Sequence, residues 1–286
     1  MEDQAKGLRE LVKKERNVKN SKFITVASGK GGVGKTNFSV NFAFTMANYF
    51  KKRVLLIDAD IGMANIHILL NSDPSKNLKN LFNGENIEDL IVKSEGFDTI
   101  LGFSGIDSLD DMDEMSISML INALESISYR YDYVIIDTGA GINEKIASFL
   151  RASSRAYIVT TPEPTALMDA YALIKSIYNI YGYNNFKTVI NMSKNREEAI
   201  NTFNKLKLSA NKFLGIELEM LGFLPITQNL KKCVKRKELI VKILPNDPFS
   251  LEMRKICALE AQEPIKEINS NFWEKVFDFL GKKRKK

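Results

Sequence analysis

Among its 286 residues the chain has two cysteines, one histidine and one tryptophan. Cys233 and Cys257 are too few and too widely spaced for a metal-binding set or a disulfide framework, and they point to a reducing compartment. His67, the single histidine, excludes His-based zinc sites and His-dependent triads that need more than one. No stretch of 18 apolar residues exists, so no membrane-spanning helix is expected. The first residues are polar and charged, so no secretory signal is expected either. What remains is ordinary for a soluble globular protein: 44% hydrophobic and 27% charged residues, with room for one large domain or two small ones.

A basic body is also missing. The net charge of +6 is concentrated at the ends. Residues 1–22 hold seven Lys/Arg against four Asp/Glu, residues 271–286 hold six against two, and the stretch between them is close to neutral. That argues against a nucleic-acid surface spread over the body and for ends that meet something acidic, such as lipid headgroups.

One stretch dominates what is present. Phe23 to Ala27 is an apolar run that reads as a buried strand, and a helical pattern restarts from Gly34 through Phe38, Asn41 and Phe42. Between them Gly29, Lys30, Gly31, Gly32, Val33, Gly34, Lys35 and Thr36 spell G-x-x-x-x-G-K-T, followed by Asn37. A loop of this kind points successive backbone N–H groups at a phosphate chain. Its glycines permit the close approach, and the helix that follows adds its positive end. Lys35 would reach the β- and γ-phosphates and the Thr36 hydroxyl would bind Mg²⁺. Lys30 is surplus to that need. It is either a solvated loop lysine or a group that crosses to a second nucleotide.

Alternating strand and helix signals follow. Strands are expected at 23–28, 53–58, 98–103, 132–137, 155–160, 187–192 and 218–224, and helices near 35–50, 113–128, 143–151, 165–182, 195–213 and 248–262. The strands are continuous apolar runs, as a sheet covered on both faces requires. The expected fold is therefore α/β: three layers, with a mostly parallel sheet of about seven or eight strands between helices on both faces. The expected divisions are a leading segment and linker over 1–22, a single nucleotide-binding body over 23–265, and a C-terminal helix with a basic tail over 266–286.

Ligands of such sheets sit at the carboxyl ends of the strands. Asp58 and Asp60 end one strand and Asp137 ends another. Asp58, Thr36 and Asp137 are candidate metal-side residues. Asp60, at the start of a loop, is placed to orient an attacking water. Gly139 could donate its N–H near the γ-phosphate and move on hydrolysis. Asn191 ends a further strand, where its amide suits either a turn or an adenine edge. Pro225 and Ile226 follow the last strand and could close over the base.

The run from Lys30 to Thr36, the run Asp58 to Asn65 and the run Val134 to Gly141 together resemble the MinD/ParA family of deviant Walker P-loop ATPases. The resemblance covers roughly residues 20–260. It implies ATP and Mg²⁺ as cofactors and an ATP-dependent sandwich dimer. Lys30 is then similar to the signature lysine that reaches the partner's ATP, Asp60 to the catalytic aspartate, and Asp137 to the second strand-end acid at the magnesium. Asn191 is similar to the adenine-contacting asparagine, and Asp169 falls in the region that faces the dimer partner, where a plain helix-surface acid is the alternative. His67 stands where relatives often carry an acid.

The ends narrow the resemblance. Asp3, Gln4 and Ala5 with Leu8 and Arg9 resemble the activator motif of the FlhG branch, which regulates flagellar number and placement. In that branch the segment stimulates the SRP-type flagellar GTPase FlhF, a role that would fall to Gln4. Flagellar C-ring switch proteins are a further implied partner. From the residues alone, Phe272, Trp273, Val276, Phe277 and Leu280 fall on one face of a short helix at ~100° per residue, ahead of five basic residues at 282–286. This suits anionic lipid at the inner face of the cytoplasmic membrane, with a terminal helix packed on the body as the alternative. Docking in a monomer and release in an ATP-bound dimer would reconcile the two. No nucleic-acid partner is expected. A division-site ATPase, a DNA-binding partition ATPase and a nucleotide-bound adaptor with negligible turnover fit the same phosphate loop.

Overall fold

The computed structural model describes residues 21–60, 65–102, 114–262 and 272–281. Eight strands form one sheet. They are β1 (Lys22–Ser28), β2 (Val54–Ala59), β3 (Ile91–Ser94), β4 (Phe97–Ile100), β5 (Tyr133–Ala140), β6 (Arg155–Thr160), β7 (Phe186–Ser193) and β8 (Glu219–Pro225), in the spatial order β3-β4-β2-β5-β1-β6-β7-β8. Every pair is parallel except β3 with β4. The expected strands are all present, within a few residues of their predicted limits. The unpredicted one, β3, is a four-residue edge strand paired to β4 across a tight turn at Glu95 and Gly96.

Helices cover both faces, which is why β1 is buried along its whole length and carries the apolar run that marked it. One face is covered by α1 (Lys35–Asn48), the short α8 (Ile240–Ile243) and α9 (Pro248–Gln262). The other carries α3 (Glu114–Ser128), α4 (Glu144–Ala152), α5 (Pro164–Tyr181) and α6 (Arg196–Leu214). The remaining pieces are a one-turn α2 (Ile66–Leu70), a 3-10 turn at Leu78–Asn83 and α7 (Gln228–Lys235). α7 carries Lys231, Lys232 and Lys235 into solvent.

The last helix, α10 (Phe272–Gly281), takes the docked one of its two sequence readings. In this structure Phe272, Trp273 and Val276 do not form a free lipid-facing surface. They are buried, and Phe277 and Leu280 are partly covered. The groove between α3 and α4 leaves part of the sheet uncovered, and the apolar stripe of α10 fills it. Phe272 lies against Phe23 of β1, the Trp273 indole donates to Ser128 Oγ at 3.0 Å, and the Arg151 guanidinium of α4 lies beside the rings of Phe279 and Tyr181, which meet edge to face. The same amphipathic pattern serves a core position as well as an interface, because periodicity reports only that one face is apolar. Among the described residues no helix is long and apolar enough to cross a membrane.

Candidate functional site

The phosphate loop leaves β1 at a register shift between Val26 and Ser28 and enters α1 through Gly34. Gly34 has φ 85°, a left-handed conformation that disfavours any side chain. A Cβ there would also lie 2.4 Å from the amide nitrogen of Asn191. Gly29 is needed for closeness instead: a Cβ would sit 2.1 Å from the carbonyl oxygen of Asp169 on α5. The loop residues Lys30 to Asn37 line an open cleft of about 420 Å³ with Ser28, Asp60, Asn65, Ile68, Leu69 and Ala140. That volume is in the range of small-molecule sites.

The strand-end acids converge because β2 and β5 are neighbours in register: Asp58 is directly opposite Asp137. Asp137 Oδ1 accepts from Ser39 Oγ at 2.8 Å and faces the Lys35 ammonium at 3.5 Å, while the Lys35 ammonium also donates to the Thr138 carbonyl. Asp137 Oδ2 is buried and has no hydrogen-bond partner among the described residues. Asp58 Oδ1 accepts from the Asp60 N–H, and its Oδ2 accepts from the N–H groups of Asn65 and Ile66 at the start of α2. Burial, and then the negative charge of Asp137, push the Asp58 carboxyl up to about 7. Burial raises Asp60 as well, Lys35 opposes the rise and Asp137 adds to it. The backbone of Gly139 closes on Asp60, since a Cβ at 139 would be 2.9 Å from Asp60 Oδ1.

An orphaned carboxylate oxygen beside a second, charge-averse carboxyl is a site short of cations. The cradle of loop amides beside it is short of anions. Both deficits fit a nucleotide phosphate chain with its Mg²⁺. Among the described residues no three His, Cys, Asp or Glu side chains gather into a metal site of their own, as expected where Mg²⁺ is held jointly by protein and phosphate.

Other candidate residues have contacts that the sequence did not reveal. Lys30 donates to Glu163 Oε1 and to Thr165 Oγ1 of its own chain, both at 2.7 Å. The Asn191 carboxamide donates to the Val33 carbonyl at 2.8 Å and accepts from the Met192 N–H at 2.9 Å, so in this conformation it braces the phosphate loop. Asp169 is half-buried on α5, and Ile226 is exposed at the end of β8. Sequence reasoning missed Ser39, Glu163 and Thr165. Ser39 was recoverable: it lies one helical turn after Lys35 and so faces the same strand ends. Glu163 and Thr165 carry no local signal, because they meet Lys30 only through the crossover from β6 to α5. Asp3, Gln4, Ala5, Leu8 and Arg9, and the basic run 282–286, lie outside the described residues.

A family model described as an AAA domain matches residues 21–192. The antiactivator FleN of Pseudomonas aeruginosa is 35% identical over 236 residues, which are 82% of this chain and 84% of that one. The flagellum site-determining protein YlxH of Helicobacter pylori is 35% identical over 274 residues, 92% of each chain. A chain of the MinC:MinD cell division protein complex of Aquifex aeolicus superposes with a TM-score of 0.69 at 25% identity, covering 87% of this chain and 99% of the other. The strand order, the lysine-bearing phosphate loop and the facing strand-end acids agree with these similarities: the chain belongs to the MinD/ParA family of P-loop ATPases.

Proposed function

We propose that this ATPase is a dimerising switch that regulates flagellar number or placement. The observation that carries the switch is the position of Lys30. It sits at the open mouth of the cleft, 34% exposed, and its ammonium is drawn to a wall outside the cleft. A second copy facing that mouth would bring its own phosphates to Lys30. The rim is consistent with such a face: Ile68, Ile142, Met168, Met192 and Ile226, which lie at or follow the carboxyl ends of five different strands or open the helices after them, are exposed. Asp169, beside Gly29, belongs to the same side.

Within each cleft, Lys35 and the loop amides of Gly31 to Thr36 bind the phosphates, and Asn191, Pro225 and Ile226 form the base side. Thr36, Asp58 and Asp137 would hold Mg²⁺, which would supply charge neutralisation. Asp60 orients the attacking water, and Lys30 from the partner offsets charge that develops on the phosphoryl group. The flagellar assignment rests on the 35% identity to FleN and YlxH over most of each chain. FlhF stimulation through Gln4 and its neighbours, contact with C-ring proteins and lipid binding by α10 belong to the same reading.

The decisive measurement is light scattering of the purified chain with ATP. Wild type is expected to dimerise, Lys30→Ala to stay monomeric, and Asp60→Ala to accumulate as a dimer that does not hydrolyse. A monomeric, ATP-bound Asp60→Ala chain sinks the mechanism. ATP-dependent sedimentation with DNA instead of anionic vesicles would move the chain to a partition role.

A further inference from the structure

We propose that Glu163, with Thr165, is an in-chain holder of Lys30 that competes with the phosphate chain of a second copy and so sets the concentration at which the ATP-bound dimer forms. The proposal rests on the crossing role given to Lys30 above, and it adds the group that opposes the crossing.

The three side chains form a closed set. The Lys30 ammonium donates to Glu163 Oε1 and to Thr165 Oγ1, each at 2.7 Å, and Thr165 donates its single hydroxyl proton to the same Glu163 oxygen at 2.9 Å. The Thr165 hydroxyl proton and two of the three ammonium protons thereby meet acceptors of the right kind. The charge-assisted bond from Lys30 holds the Glu163 carboxyl below its ordinary range, with the Thr165 bond helping. Both ends of the set are mounted on stiff backbone. The Lys30 carbonyl accepts from Ser28 Oγ at 3.0 Å. Glu163 precedes Pro164, which opens α5, and its N–H reaches Thr161 Oγ1 at 3.4 Å. Neither Glu163 nor Thr165 lines the cleft, so the set holds the ammonium away from the nucleotide of its own chain.

Glu163 is 57% exposed and carries one negative charge. A triphosphate carries several and, in a closed dimer, would sit in a drier place, so the exchange favours the phosphate once a second copy is present. The holder is weak by design. An exposed ion pair shifts an equilibrium by no more than about fivefold, and a symmetric dimer releases two. The Glu163 carboxylate left behind also repels an approaching phosphate chain. Removing its charge should therefore make pairing easier, which is the opposite of what loss of an interface contact would do.

The test is the dimer dissociation constant of the full chain with a slowly hydrolysed ATP analogue and Mg²⁺, measured by sedimentation for wild type, Glu163→Gln and Thr165→Val. Glu163→Gln is expected to dimerise at about three- to thirtyfold lower protein concentration, and Thr165→Val to shift the same way by less. An unchanged or weakened dimer in Glu163→Gln, with wild type dimerising, overturns the holder while leaving the crossing lysine in place. A wild-type chain that stays monomeric with the analogue removes the crossing itself, and with it both proposals. Loss of fluorescent-nucleotide binding by monomeric Glu163→Gln also overturns the holder, because neither Glu163 nor Thr165 lines the cleft.

Discussion

The ring of Phe272 lies flat on the ring of Phe23, with centroids 4.1 Å apart and planes 9° from parallel. The last helix is thereby stacked on the first strand, and Trp273 meets both rings edge-on. Side chains used in this way cannot touch lipid at the same time. If α10 is to bind a membrane it must undock first, and any affinity for lipid would be reduced by the free energy of that step.

Phe23→Ala separates the two roles, because it weakens the dock and leaves the apolar face of α10 intact. Truncating a buried Phe costs about 3–5 kcal/mol, to be read as a lower midpoint in denaturant. The same variant should sediment with anionic vesicles more strongly than wild type when no nucleotide is present. A loss of stability with no gain in vesicle binding would mean that α10 is structural only.

The opposite face of the sheet is held by buried charge at the start of β1 and β6. Glu260, on the last turn of α9, accepts from the Lys22 ammonium at the start of β1 and from the Tyr157 hydroxyl, and Arg155 lies 3.6 Å away. Burial lowers Lys22, an effect that the Glu260 charge opposes, and raises Tyr157, so the phenol keeps the proton it donates. Glu260→Ala leaves buried cations uncompensated and is expected to cost about 3–5 kcal/mol. Replacing both partners, as Lys22→Met with Glu260→Leu, should recover much of that loss. A double variant as unstable as the single would show that the pair itself is indispensable. Chemical denaturation of the three chains decides.

The layers and the phosphate loop were legible in the sequence because both are local. Continuous apolar runs mark covered parallel strands, and the glycines of the loop sit in one short stretch. The convergence of Asp58 with Asp137 was also legible, since each ends an apolar strand. The contacts of Lys30 were not, because Glu163 lies 133 residues away and nothing near either residue names the other. The docking of α10 was undecided for a different reason. An amphipathic helix states that it needs an apolar partner and leaves the partner open, and the groove between α3 and α4 exists only after the sheet has formed.

The raised Asp58 carboxyl makes stability depend on pH in a definite direction. Between its ordinary value of 3.8 and about 7, the folded chain keeps a proton that the unfolded chain has released. The contribution to stability is therefore largest in acid, falls as pH rises through this window and levels off above about 7. The full excursion is roughly 4 kcal/mol by the usual conversion of pKa shifts. Asp58→Asn should remove it, so the stability difference between wild type and variant should change steeply from pH 4 to pH 7. Magnesium nucleotide should stabilise wild type more at pH 8 than at pH 5. Parallel pH profiles of the two chains would refute the assignment.

Asn191 offers the last separation, between holding the loop and reading the base. Its carboxamide ties the end of β7 to Val33 and also caps the N–H of Met192, which sits at φ 57°, a left-handed conformation uncommon for a side chain of that size. Asn191→Ala would leave the Val33 carbonyl without its bond and cost about 1–3 kcal/mol. Val33 lies within the phosphate loop, so the damage should reach phosphate binding whatever base is attached. ATP and inorganic triphosphate, which has no base at all, are both expected to weaken in calorimetric titrations, ATP by the larger factor because Asn191 also serves the base. If triphosphate binds the variant as well as it binds wild type while ATP alone is lost, then the brace on Val33 is incidental and Asn191 serves the adenine.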